Sequence, residues 1–138
     1  MYRLLFLALA FVVFSCTGAE KVISEEQYKG YVNQSYRLVP DSLMTEEQKR
    51  IKEAELLIVR SYVGEDAGKM VLTVGRDYYR EQGIPEYYYD MALYELDQNN
   101  KLIEQLNKEL DDSNKIDVAK LVEMYRCEGC SENSYCGK

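Results

Sequence analysis

The 138-residue chain contains no histidine and no tryptophan. Without histidine, Ser-His-Asp and Cys-His catalysis are excluded and the commonest metal ligand is missing. The same absence rules out covalent haem attachment, although Cys127-Glu128-Gly129-Cys130 carries the first half of that motif. Lys/Arg blocks are also absent, and 17 basic side chains face 24 acidic ones for a net charge of −7. A surface of that sign disfavours nucleic acid and anionic lipid head groups, so no nucleic-acid partner is expected. Phosphate-cradling and calcium-loop spacings are missing too. Gly64-Glu65-Asp66-Ala67-Gly68-Lys69-Met70 lacks the Ser/Thr and glycine spacing of a P-loop, and Asp111-Asp112-Ser113-Asn114 lacks the alternating acids of a calcium loop. No cofactor is expected.

No apolar run reaches the roughly 20 residues that a membrane-spanning helix needs. The longest, Leu4 to Phe14, has eleven residues and follows the positive charge of Arg3. A charged start and an apolar stretch of roughly 7–15 residues form an export signal. The run ends in Val13-Phe14-Ser15-Cys16, which resembles the lipobox of bacterial lipoproteins. The resemblance covers these residues alone. It implies diacylation of the Cys16 thiol, cleavage just before it, and anchorage to a bacterial envelope membrane through the lipid. An alternative is ordinary signal-peptidase cleavage after Ala19, because Thr17-Gly18-Ala19 is a small-x-small site. That outcome leaves a soluble secreted protein. The first reading divides the chain into a leader (1–15), a lipidated cysteine and tether (16–23), a domain (24–126) and a cysteine-rich tail (127–138). Losing Arg3 with the leader takes the net charge from −7 to −8.

Beyond Cys16, the cysteines Cys127, Cys130 and Cys136 crowd into the tail as C-x₂-C-x₅-C. In an exported chain the default is a disulfide, and an odd number leaves one thiol over. A loop closed to Cys136 is preferred to the very small 127–130 loop. A zinc site, redox chemistry and an intermolecular bond are the alternatives; zinc normally needs four ligands. No metal site is expected.

The remainder predicts an all-α fold, an antiparallel bundle of about five helices. Ser24-Glu25-Glu26-Gln27 and Thr45-Glu46-Glu47-Gln48 are capping boxes. The first predicts a helix to about Leu38, stopped by Pro40. The second predicts a helix carrying Ile51, Ala54, Ile58 and Tyr62 on one face, broadened by Leu56, Leu57 and Val59 into the most buried helix. A core strand at Leu56–Val59 is the alternative. A turn at 64–66 and a third helix over 67–82 follow, with Met70, Val71, Val74 and Tyr78 on one face. Gly83 suits a left-handed cap and Pro85 the first turn of a fourth helix. Residues 93–106 read either as its continuation or as a hairpin about Asp97–Lys101. Ser113 or Asn114 caps a last helix to Arg126.

Thirteen tyrosines are a strong bias, and six of them, Tyr78, Tyr79, Tyr87, Tyr88, Tyr89 and Tyr94, lie close together. Tyrosine suits half-buried core seams and interaction faces alike. Three in a row at 87–89 span about 200° of a helix, so at least one should face solvent. Adjacent acids such as Glu25-Glu26 and Glu46-Glu47 are explained by helix dipoles better than by catalysis. The expectation is therefore a non-enzymatic module acting by contact with an envelope protein, either an assembly partner or an immunity-type protein. The alternative is a carbohydrate binder or hydrolase using the 78–94 region and the acids Asp77, Glu86 and Asp90.

Overall fold

The computed structural model describes residues 20–127. Both capping boxes form. Ser24 Oγ accepts the Gln27 amide at 3.2 Å and Gln27 Oε1 accepts the Ser24 amide at 3.2 Å, opening α1 (Glu25–Gln34). Thr45 and Gln48 make the same exchange at 3.1 and 2.9 Å, opening α2 (Glu46–Tyr62). The first turns carry Glu25, Glu26, Glu46 and Glu47, where the helix dipole favours negative charge. α1 stops at Gln34, short of the expected Leu38. Ser35 is extended and its hydroxyl accepts the Arg37 amide, so Tyr36–Leu38 becomes a separate 3-10 turn.

The helix expected over 67–82 forms only in its last part, and a hairpin replaces the first, which corrects the all-α expectation to a mostly helical fold with one small sheet. Val63–Asp66 (β1) and Lys69–Leu72 (β2) pair antiparallel, with Val63 opposite Leu72 and Asp66 opposite Lys69. Ala67 and Gly68 both have positive φ, 49° and 76°, which gives a two-residue turn whose twist matches the strands it joins. The Gly68 amide donates to Glu65 Oε1 at 2.6 Å and closes the turn. Packing of the hairpin against three helices outweighs the helical spacing of Met70, Val71 and Val74, because a β-branched run fits a half-buried pleated surface. Only Arg76–Glu81 (α3) is helical in this stretch. Gly83, at φ 66°, follows it as expected. Arg50 of α2 donates to the carbonyls of Gln82 and Gly83 at 3.0 and 2.8 Å, tying the end of α3 to α2.

α4 (Tyr87–Glu109) runs unbroken through Asp97–Lys101, so 93–106 is helix and not hairpin. A 3-10 turn at Asp112–Asn114 then leads to α5 (Val118–Cys127). The start of α5 is set by Asp117, not Ser113 or Asn114: its carboxylate accepts the amides of Ala119 and Lys120 at 3.0 and 3.3 Å. Among the described residues, no helix is long and apolar enough to cross a membrane.

Two apolar clusters form the core. One gathers Tyr36, Met44, Ile51, Ile58, Tyr79, Ile84, Tyr88, Tyr89 and Met91, and the other Val63, Met70, Ile103, Val118 and Val122. The most buried helix is α4, not α2. α2 buries Ile51, Glu55 and Ile58 but leaves Leu57 62% exposed, whereas α4 buries Tyr88, Tyr89, Met91, Ala92 and Ile103. The reason is position: α1, α3 and β2 all pack on α4. Two asparagines fix what α4 holds. Asn100 accepts the Met70 amide at 2.8 Å and donates to the Met70 carbonyl at 2.9 Å. Asn107, two turns on, accepts the Ile116 amide at 2.7 Å and donates to the Ile116 carbonyl at 3.1 Å.

Candidate functional site

The tyrosines of 78–94 are structural partners first. Tyr79, Tyr88 and Tyr89 are buried, and Tyr78, Tyr87 and Tyr94 are half-buried. None of the three at 87–89 is fully exposed, against expectation. The start of α4 is covered on several sides, with Tyr87 5.4 Å from the ring of Tyr31, Tyr88 5.7 Å from Tyr36 and Tyr89 5.4 Å from Tyr79. Tyr94 stacks on Tyr28 at 4.4 Å, and Tyr78 meets Tyr62 edge-on at 5.0 Å. The six rings therefore line several seams and do not form one face. The acids beside them are held by arginines. Arg76 grips Asp90 at 2.7 Å and sits 5.0 Å over the Tyr89 ring, while Arg80 takes Asp77 at 2.8 Å and Glu86 at 2.6 Å. The hydrogen bond to Asp90 raises the Arg76 pKa above its ordinary value.

Cys16, Cys130 and Cys136 lie outside the described residues, and Cys127 is the last residue of α5. Among the described residues, no group of three or more His, Cys, Asp or Glu side chains could hold a metal ion.

The densest polar chemistry lies elsewhere, at Arg37. Its guanidinium reaches Glu55 on α2 at 2.6 Å and Glu95 on α4, joining the 3-10 turn to two helices. Glu55 is 3% exposed and also accepts the Tyr36 hydroxyl at 2.5 Å. Glu95 accepts the Tyr28 hydroxyl at 2.6 Å. Burial opposes the Arg37 charge, but bonding and attraction to Glu95 and Glu55 outweigh it and its pKa rises. Burial, and then the bond to Glu95, push the Tyr28 hydroxyl up to about 12. Burial, and then Glu55, raise Tyr36 as well. Tyr79, 0% exposed, is the exception among these rings: its hydroxyl has no hydrogen-bond partner among the described residues.

Beside the triad lies a hollow of about 220 Å³, walled mainly by residues of the second cluster. Val59, Leu72, Leu96 and Tyr125 supply apolar wall from α2, β2, α4 and α5, and Glu95 and Asn99 of α4 supply the polar wall. Neither triad nor hollow was anticipated from the sequence. Arg37 stands 18 positions from Glu55 and 58 from Glu95, and no periodicity links them. One signal was available: Glu55 falls on the apolar face of α2 between Ile51 and Ile58, where an acid must find a partner.

Fold and cluster together define a small, mostly helical domain braced by a partly buried charged triad. No protein-family model, curated protein or solved structure matches the chain.

Proposed function

We propose that the protein is a non-enzymatic interaction module of a bacterial envelope, anchored to a membrane by lipid on Cys16 and acting by contact with an envelope protein. The observation that carries this proposal is the leader: Arg3, the apolar run Leu4 to Phe14, and Val13-Phe14-Ser15-Cys16. Two or more acyl chains on one cysteine make attachment stable, at about 0.8 kcal/mol per buried CH₂. The position of Glu20, 3.7 Å from Arg76, suits a short tether, because the four steps from Cys16 to Glu20 span at most about 14 Å. The domain would then ride close to the lipid. An antiparallel bundle of helices belongs to the same proposal. It is supported by the order of ring pairs, since advancing along α1 from Tyr28 to Tyr31 moves the partner on α4 back from Tyr94 to Tyr87. The carbohydrate-binding alternative draws less support, because Tyr79, Tyr88 and Tyr89 offer no ring to solvent.

Labelling cells with a fatty-acid analogue should mark the wild type and leave Cys16→Ala unmarked. Unlabelled protein with its N-terminus at Glu20 would replace the anchor with simple secretion. A pull-down from detergent-solubilised envelope should then recover a protein partner with the lipidated form.

A further inference from the structure

We propose that the hollow between α2, the hairpin, α4 and α5 is a binding site for a small apolar cation: a compact aromatic or branched aliphatic body bearing one ammonium group. This stands apart from the anchored-module proposal and needs no lipid.

Size, wall chemistry and charge point the same way. An apolar cavity of about 150 Å³ admits benzene, so about 220 Å³ admits one ring with a short side chain. Val59, Leu72, Leu96 and Tyr125 give that body dry contact from four elements. The polar wall is Glu95 with Asn99 one helical turn on, and no basic side chain among the described residues lines the hollow. The charge of the triad is incomplete, because a single guanidinium, that of Arg37, serves two carboxylates, Glu55 and Glu95. Among the described residues, one negative charge is left over. Glu55 is enclosed by Arg37 and Tyr36, whereas Glu95 is the member that lines the hollow. Its Oε1 takes the Arg37 and Tyr28 donors, while Oε2 has only a long 3.4 Å contact to Arg37 and keeps capacity for another donor. The Asn99 amide makes no hydrogen bond among the described residues and can accept a second ammonium proton. An anion of the same shape meets the uncompensated carboxylate and is rejected.

The test is a titration of the full chain with 2-phenylethylamine, read on the methyl NMR signals of Val59, Val63, Leu72 and Leu96. These signals should shift and saturate, and phenylacetate at equal concentration should shift none of them. Glu95→Gln keeps an acceptor for Arg37 and Tyr28 but removes the charge. It should weaken amine binding about tenfold or more, the scale of a charge-assisted hydrogen bond. Ala92→Leu, which fills the hollow, should abolish binding; if that variant does not fold, Glu95→Gln decides. The proposal is overturned by non-saturating shifts spread to exposed methyls such as Leu43 and Leu57, which report general attraction of amines to an acidic surface. Equal affinity for phenylacetate, or unchanged amine affinity in Glu95→Gln, overturns it as well.

Discussion

Two buried tyrosine hydroxyls, only one of them partnered among the described residues, allow the same substitution to act with opposite sign. Tyr36 gives its proton to Glu55 at 2.5 Å, and Tyr79 gives its proton to no described residue. Tyr36→Phe strips a carboxylate that is 3% exposed of one donor, and should cost about 1.5–3 kcal/mol. Tyr79→Phe removes a buried hydroxyl whose desolvation no described residue offsets, and should stabilise by about 1 kcal/mol. Urea unfolding of the two variants beside wild type checks the pair; equal losses in both would mean that the Tyr79 hydroxyl is satisfied in solution. The sequence shows thirteen tyrosines but not this distinction. Residue type tells that a ring is half polar; only the position of Glu55 beside the Tyr36 hydroxyl tells that its polar half is used.

Among the elements, the hairpin is where sequence and structure part. Its turn places Ala67 at φ 49°, a conformation that costs a residue with a Cβ about 1–2 kcal/mol. Asparagine tolerates that region and is preferred in two-residue hairpin turns. Ala67→Asn should therefore raise stability by about 0.5–1 kcal/mol, seen as a higher melting temperature with unchanged far-UV circular dichroism. A lower melting temperature would sink this account of the turn. The starts of α1 and α2 were legible because a capping box is a local device, complete within four residues. Gly83 was legible for the same reason. The hairpin was not: each strand has four residues, its turn lacks the usual Asn-Gly, and Met70, Val71 and Val74 also fit a helical spacing. Gly64, Gly68 and Gly75 crowding around a β-branched run were the signal against a helix. Asp117 as the cap of α5 was missed because Ser113 and Asn114 are equally good caps in isolation, and the Asn107 clasp on Ile116 places the chain so that Asp117 comes first.

At the scale of the whole molecule, the tyrosine-rich core sets the response to alkali. Burial, ahead of the hydrogen bonds to Glu95 and Glu20, raises Tyr28 and Tyr89 to about 12; burial raises Tyr36, Tyr79 and Tyr88 too. Unfolded tyrosines ionise near pH 10. Below that both states keep their protons and these groups impose no pH dependence. Between about 10 and 12 the unfolded chain releases protons that the folded chain retains, so stability should fall steadily as pH rises. Denaturant midpoints across this range, followed beside tyrosinate absorbance, check it; a flat midpoint to pH 12 would contradict the burial of these hydroxyls. Long-range assembly of this kind, like the Arg37 triad, is what a sequence read in windows of ten to twenty residues does not display. A two-stranded sheet has two free edges, and each is a template on which another chain can grow. Asn100 occupies both outward backbone groups of Met70 in the way a third strand would, and it comes from the protein's own helix. The hairpin is thus closed at Met70 to strands from neighbouring copies. For chains crowded on one surface, that amide is a guard against polymerisation as much as a brace.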